Sequence, residues 1–119
     1  MSQGAAEGRE PPVKRVDRSD GAVVVHLVGE LDLYNAHEVR ETLLASCAEE
    51  PEKLVVDLGG VTFVDSTALG VFIEARSRLA DKRRFVLASP GVETRRALEI
   101  SGLDRHLNVQ ESVDEALTS

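Results

Sequence analysis

Val61-Thr62-Phe63-Val64-Asp65-Ser66-Thr67-Ala68-Leu69-Gly70 is the stretch whose reading decides the fold of this 119-residue chain. A β-branched apolar run arrives from Leu54 through Val64 and stops at Asp65-Ser66-Thr67. Beyond that triplet, apolar residues recur at helical spacing as far as Asp81. The pattern is a strand giving way to a helix, with Asp65 or Ser66 able to accept a hydrogen bond from the unpaired N–H groups of the first turn. With about 100° allowed per residue, Ala68, Val71, Phe72, Ala75 and Leu79 fall on one stripe. Leu69, Gly70, Ile73 and Ser77 cluster around the direction of Ser66, while Thr67, Glu74, Arg78 and Asp81 point elsewhere. One stripe suffices to pack a surface helix, so the second is expected to be either deeply buried or a docking face. The pattern does not fix which stripe is which. Gly70 favours docking, because glycine one turn into a helix costs about 1 kcal/mol and lets another backbone approach.

Working outward, the chain reads as strand, strand, helix, strand, helix, strand, helix, strand, helix. Residues 1–12, rich in Gly, Ala, Glu and Pro, are expected to form a disordered leader, and residues 13–118 one domain. A weak alternating strand starts at Val13, and Ser19-Asp20-Gly21 is a turn. Ala22 to Gly29 is a β-branched run of the kind buried on both faces, with His26 expected to hydrogen-bond within the sheet. A helix follows over Tyr34 to Ala48, with Asp32 in the position of its cap and Ala36, Val39, Leu43, Leu44 and Cys47 inward. Leu54 to Leu58 is a buried strand that Gly59-Gly60 should break, and Phe85 to Ala88 is another. Glu93 to Ile100 is expected to pack through Val92, Ala97, Leu98 and Ile100 and to stop at Ser101-Gly102. After a brief strand, Ser112-x-x-Glu115 opens a short helix as a capping box. Such alternation implies an α/β fold, a mostly parallel sheet of about five strands covered by about four helices.

Composition narrows the function. The net charge of −7 argues against a nucleic-acid partner, and the 3% aromatic content leaves the core to Val, Leu, Ile and Ala. Cys47 is the only cysteine, which excludes an internal disulfide and a thiolate metal cluster. No apolar run reaches the length of a membrane span, so a cytoplasmic protein is expected. Neither a Walker-type loop nor a Gly-x-Gly-x-x-Gly turn follows a strand, Ser66 is not in a Gly-x-Ser-x-Gly elbow, and His106 is its only downstream histidine. A non-enzyme with no metal and no cofactor is therefore expected. Lys82-Arg83-Arg84 reads as a solvated helix end.

Three segments carry a family resemblance: Gly29-Glu30-Leu31-Asp32, Val64-Asp65-Ser66-Thr67-Ala68-Leu69-Gly70, and Ile100-Ser101-Gly102-Leu103. With the order of elements, they resemble the STAS domain of bacterial anti-sigma factor antagonists, from about Val13 to Leu117. The resemblance implies a protein that binds an anti-sigma factor which is also a serine kinase, releases a sigma factor, and is switched off by phosphorylation of Ser66. A phosphatase is implied as the resetting partner, and Thr67 as a passive neighbour. The docking residues it implies are Ser66, Thr67, Leu69, Gly70 and Ile73, with Asp32 and Asp65 at the rim. The family usually has Gly where this chain has Ala68, a change in first-turn flexibility that leaves the Ser66 hydroxyl untouched. The alternative is a STAS docking subunit of a lipid-transport or stress-signalling assembly that releases no sigma factor.

Overall fold

The computed structural model describes residues 10–119, so the leader expected over residues 1–12 lies largely outside the described residues. Strand β1 (Val13–Ser19) and β2 (Ala22–Leu31) form an antiparallel hairpin. Its two turn residues, Asp20 and Gly21, have φ of 54° and 83°, the left-handed pair that matches the twist of the flanking strands. Helix α1 (Ala36–Ala48), β3 (Lys53–Val64), α2 (Ser66–Ser77), β4 (Phe85–Ala88), α3 (Val92–Ser101), β5 (Asn108–Gln110) and α4 (Val113–Thr118) follow. The sheet order is β1-β2-β3-β4-β5, with every pair after the first parallel. The expected α/β architecture is the observed one.

Alternation along the central strands divides the core in two. Val23, Val25 and Leu27 of β2 and Leu54, Val56 and Leu58 of β3 meet α1, α2 and α3 in the larger cluster. Val24, Val55, Val86 and Ala88 face the other way and are covered by Val113 and Ala116 of α4. Both faces of β3 are thus buried, which is why its sequence reads as a continuous apolar run. His26 and Asp57 point to the α4 side, and the imidazole bridges two strands: Nδ1 lies 2.6 Å from Asp57 Oδ2 and Nε2 2.9 Å from Asp17 Oδ2.

Gly59-Gly60 does not break β3. The strand continues through both glycines and shifts register against β2 between His26 and Val28, then again between Gly29 and Glu30. These are β-bulges, in which one extra residue is taken up without ending the ladder. Asp57 Oδ1 accepts from Gly59 N at 2.9 Å and pins the first bulge. At Gly60 a Cβ would stand 2.8 Å from Val28 Cγ1 and 3.2 Å from the Leu27 carbonyl oxygen, so any side chain there forces its neighbours to shift.

Other elements also depart from the sequence reading. Asn35, not Asp32, sits at the N-cap of α1, and the helix starts at Ala36 instead of Tyr34. Asp32 organises the turn before it: Oδ1 accepts from Tyr34 N at 3.0 Å, and its carbonyl accepts from Ala36 N. In α3 the phase is set by Thr94 and Leu98, four residues apart and both buried, which leaves Val92 and Ile100 exposed. In α4 the Ser112 hydroxyl accepts from Glu115 N as expected, but the Glu115 carboxylate reaches back one residue further, to Glu111 N.

Two glycine substitutions should separate close packing from chain entropy. Gly60→Ala is expected to destabilise the fold by about 1–3 kcal/mol through overpacking. Gly70→Ala meets nothing within 4 Å and should stabilise it by up to about 1 kcal/mol. Urea denaturation midpoints at unchanged slope would check both.

Candidate functional site

The site is built where β3 becomes α2. Asp65, with extended backbone at φ −99° and ψ 179°, is the N-cap, and its Oδ1 accepts from Ala68 N at 3.1 Å. Between the two capping residues left open by the sequence, Asp65 takes the role and Ser66 becomes the first helical residue. The other oxygen of Asp65 accepts from Leu33 N at 3.2 Å. Asp65 N also donates to the Leu31 carbonyl at 3.0 Å. One side chain therefore locks the start of α2 to the loop between β2 and α1, and leaves Ser66 and Thr67 exposed beside it.

Of the expected docking stripe, Gly70, Ile73 and Ser77 face outward, with Ile73 44% exposed. Leu69 does not: it is 7% exposed and belongs to the core with Ala68, Val71, Phe72 and Ala75. Two helical positions in succession, Ala68 and Leu69, are thus turned inward, because α2 is seated in the crease between the sheet and α1 and buries a stripe wider than one row. Leu69 supports the outward surface from beneath. Of the two stripes that periodicity left interchangeable, Ala68, Val71, Phe72, Ala75 and Leu79 are the buried one.

The sequence did not single out the apolar residues around the hydroxyl. Leu33 is 65% exposed, Tyr34 77% and Phe63 47%. Leu33 and Tyr34 lie on the loop held by Asp65 and Asp32, and Phe63 lies two residues before the cap. Tyr34 reads as a helix start and Phe63 as part of an apolar run, and neither reading marks its side chain as exposed. Large apolar side chains left in water around one polar group mark an interaction surface.

The plate carrying this surface is braced. Arg40 of α1 meets Glu74 of α2 through Nε–Oε1 at 2.7 Å and Nη2–Oε2 at 2.8 Å, and Arg78 adds a contact at 3.2 Å. The Arg40 guanidinium, followed by Arg78, holds the Glu74 carboxyl below the usual range. Deeper in, the Cys47 thiol donates to the Ala75 carbonyl at 3.3 Å. Burial pushes that thiol up. Among the described residues no group of three or more His, Cys, Asp or Glu is placed to hold a metal ion. No helix among them is long and apolar enough to cross a membrane.

Two outcomes are expected. Asp65→Ala should cost about 1–2 kcal/mol by removing the cap, whereas Ser66→Ala should stay within about 0.5 kcal/mol; thermal melts distinguish them. Because the neutral thiol is the form burial favours, Cys47 should be alkylated more slowly than an ordinary thiol at pH 8. Its rate should keep climbing above the usual thiol range, while urea-unfolded protein reacts at once. Timed iodoacetamide labelling with intact-mass readout checks this.

Comparison with known proteins agrees with the geometry. The STAS domain family profile matches residues 14–116. The anti-sigma-F factor antagonist RsfB of Mycobacterium tuberculosis is 29% identical over 99 residues, 83% of this chain and 81% of that protein. The anti-sigma-B factor antagonist of Listeria monocytogenes is 33% identical over 96 residues, covering 79% of this chain and 83% of the relative. The crystal structure of an anti-sigma factor antagonist from Mycobacterium paratuberculosis superposes with a TM-score of 0.82 at 32% identity, over 87% of this chain and 89% of that one. With its strand order, its capped α2 and these relatives together, the chain belongs to the STAS domain family and groups with its anti-sigma factor antagonists.

Proposed function

We propose that this protein is an anti-sigma factor antagonist that docks an anti-sigma factor serine kinase on the surface around Ser66, and that phosphorylation of Ser66 ends the complex. The observation that carries this reading is the exposed Ser66 at the first position of α2, with exposed Leu33, Tyr34, Phe63 and Ile73 on the neighbouring elements. The contact surface comprises Ser66, Thr67, Gly70 and Ile73, with Leu69 beneath and Asp32 and Asp65 at the rim. Occupying the anti-sigma factor excludes the sigma factor and frees it. The chain supplies no catalytic group; the kinase supplies the phosphoryl transfer, and a separate phosphatase removes the group.

The switch follows from charge. A phosphate on Ser66 adds about −1.5 to −2 charges next to the Asp65 carboxylate. The first turn of α2 tolerates an anion, because its N–H groups and the helix dipole favour negative charge there. The domain therefore keeps its fold, and the penalty falls on a partner whose surface matches a neutral hydroxyl. Repulsion between close like charges is worth about 1–4 kcal/mol between the limits of bulk water and protein surface. A penalty of about 3 kcal/mol lowers affinity more than a hundredfold.

Titrating the cognate anti-sigma factor with Ser66→Ala and Ser66→Asp proteins tests this by calorimetry. The alanine protein is expected to bind within about threefold of the unmodified chain and the aspartate protein at least about tenfold more weakly. Equal affinities for the two would remove the charge switch, and mass spectrometry after incubation with the kinase and ATP locates the phosphate.

A further inference from the structure

Beyond the Ser66 surface, the described residues hold a cavity of about 590 Å³ at the opposite end of β3. Lys53 opens β3 there and Val64 closes it beside Asp65, so the two places lie at opposite ends of a 12-residue strand about 35 Å long. The cavity gathers side chains from four parts of the chain: Lys53, Arg76 from the last turn of α2, Lys82, Arg83 and Arg84 from the turn before β4, and His106 ahead of β5. Only two carboxylate side chains, Glu52 and Asp81, join them. In a chain of net charge −7 with 14 Lys and Arg in all, five of those cations line one concavity, so the local sign is reversed.

Not every cation there is committed. Arg83 is engaged by Asp81, through Nε–Oδ1 and Nη2–Oδ2 at 3.1 Å each, and holds that carboxyl below its usual range. Lys53 donates to the main-chain oxygen and hydroxyl of Ser119, and Arg84 reaches the Pro51 carbonyl at 3.4 Å. Arg76, half-buried, and Lys82 have no ion-pair partner among the described residues, and they approach the same space from different elements. A guanidinium fork paired with a compact ammonium suits a phosphoryl group, the fork taking two oxygens and the ammonium acting as a point charge. The volume is in the range of small-ligand sites and far exceeds a single ion.

We infer that this cleft between the end of α2 and the Lys82–Arg84 turn binds a small phosphate-bearing anion carrying two or more negative charges, held chiefly by Arg76 and Lys82. The attraction comes from exposed or half-buried cationic side chains, so binding should weaken steeply with salt. The cleft lies at the far end of α2 from Ser66, with Arg76 one turn beyond Ile73. Its probe is a free anion, so its outcome is read apart from an anti-sigma factor titration.

The test uses the full chain, labelled with ¹⁵N and titrated with sodium pyrophosphate at fixed ionic strength, with citrate in a parallel series. Saturable amide shifts are expected at Arg76, Lys82, Arg83 and His106, with a dissociation constant below about 1 mM and citrate at least about tenfold weaker. The double variant Arg76→Gln, Lys82→Gln, whose side chains lie outside the core, is expected to keep its thermal midpoint and lose at least about tenfold in affinity. The single Lys82→Gln protein provides the same comparison if the double variant does not fold. Absence of saturable shifts at those positions, unchanged affinity in a folded variant, or citrate binding as tightly as pyrophosphate would overturn the assignment.

Discussion

The carboxylate of Asp65 is the constraint on which the candidate site depends. One oxygen caps α2 at Ala68 N and the other accepts from Leu33 N, so a single residue fixes both the helix that presents Ser66 and the loop that presents Leu33 and Tyr34. A neutral amide could satisfy one of these donors well, but two divergent N–H groups call for two acceptor oxygens on one rigid carboxylate. The charge also sits at the positive end of the helix dipole. A rim role for Asp65 in partner contact is thus secondary to its work inside the fold.

The position of that carboxylate depends in turn on β3 reaching it in register. β2 and β3 run parallel and finish together at Leu31 and Val64 only because two bulges adjust their lengths. Asp57 pins the first of them with one oxygen, through Gly59 N, and with the other engages His26, which in turn meets Asp17 on β1. The polar cluster on the α4 side and the placement of Ser66 are therefore connected through a contiguous run of strand. The hydrophobic core supplies the bulk of the stabilisation, but these directional contacts select the register.

Much of this was legible in the residues. The β-branched runs, the turn at Asp20-Gly21 and the division of α2 into two apolar stripes followed from periodicity and turn chemistry, because each is a local property of the chain. What escaped was decided by tertiary placement. The glycine pair reads as a breaker in isolation, yet in the parallel ladder it spans a bulge where a side chain on Gly60 would run into Val28. Leu69 reads as part of an outward stripe until α2 is seated, when the depth of the crease between sheet and α1 turns it inward. Leu33, Tyr34 and Phe63 carry no periodic signal that separates exposed from buried, so the apolar surroundings of the hydroxyl emerge only in three dimensions. The convergence of Lys53, Arg76 and Lys82 is likewise invisible in a sequence that scatters them over 30 positions.

The cross-ties between α1 and α2, Arg40 with Glu74 at the surface and Cys47 with the Ala75 carbonyl below, make the two helices a single stiff body. A partner that settles on it meets a surface whose shape is already set, and little ordering of this chain accompanies the encounter. The heat-capacity change of association should then be small and proportional to the apolar area covered, without the large negative contribution that a segment folding upon its target would add.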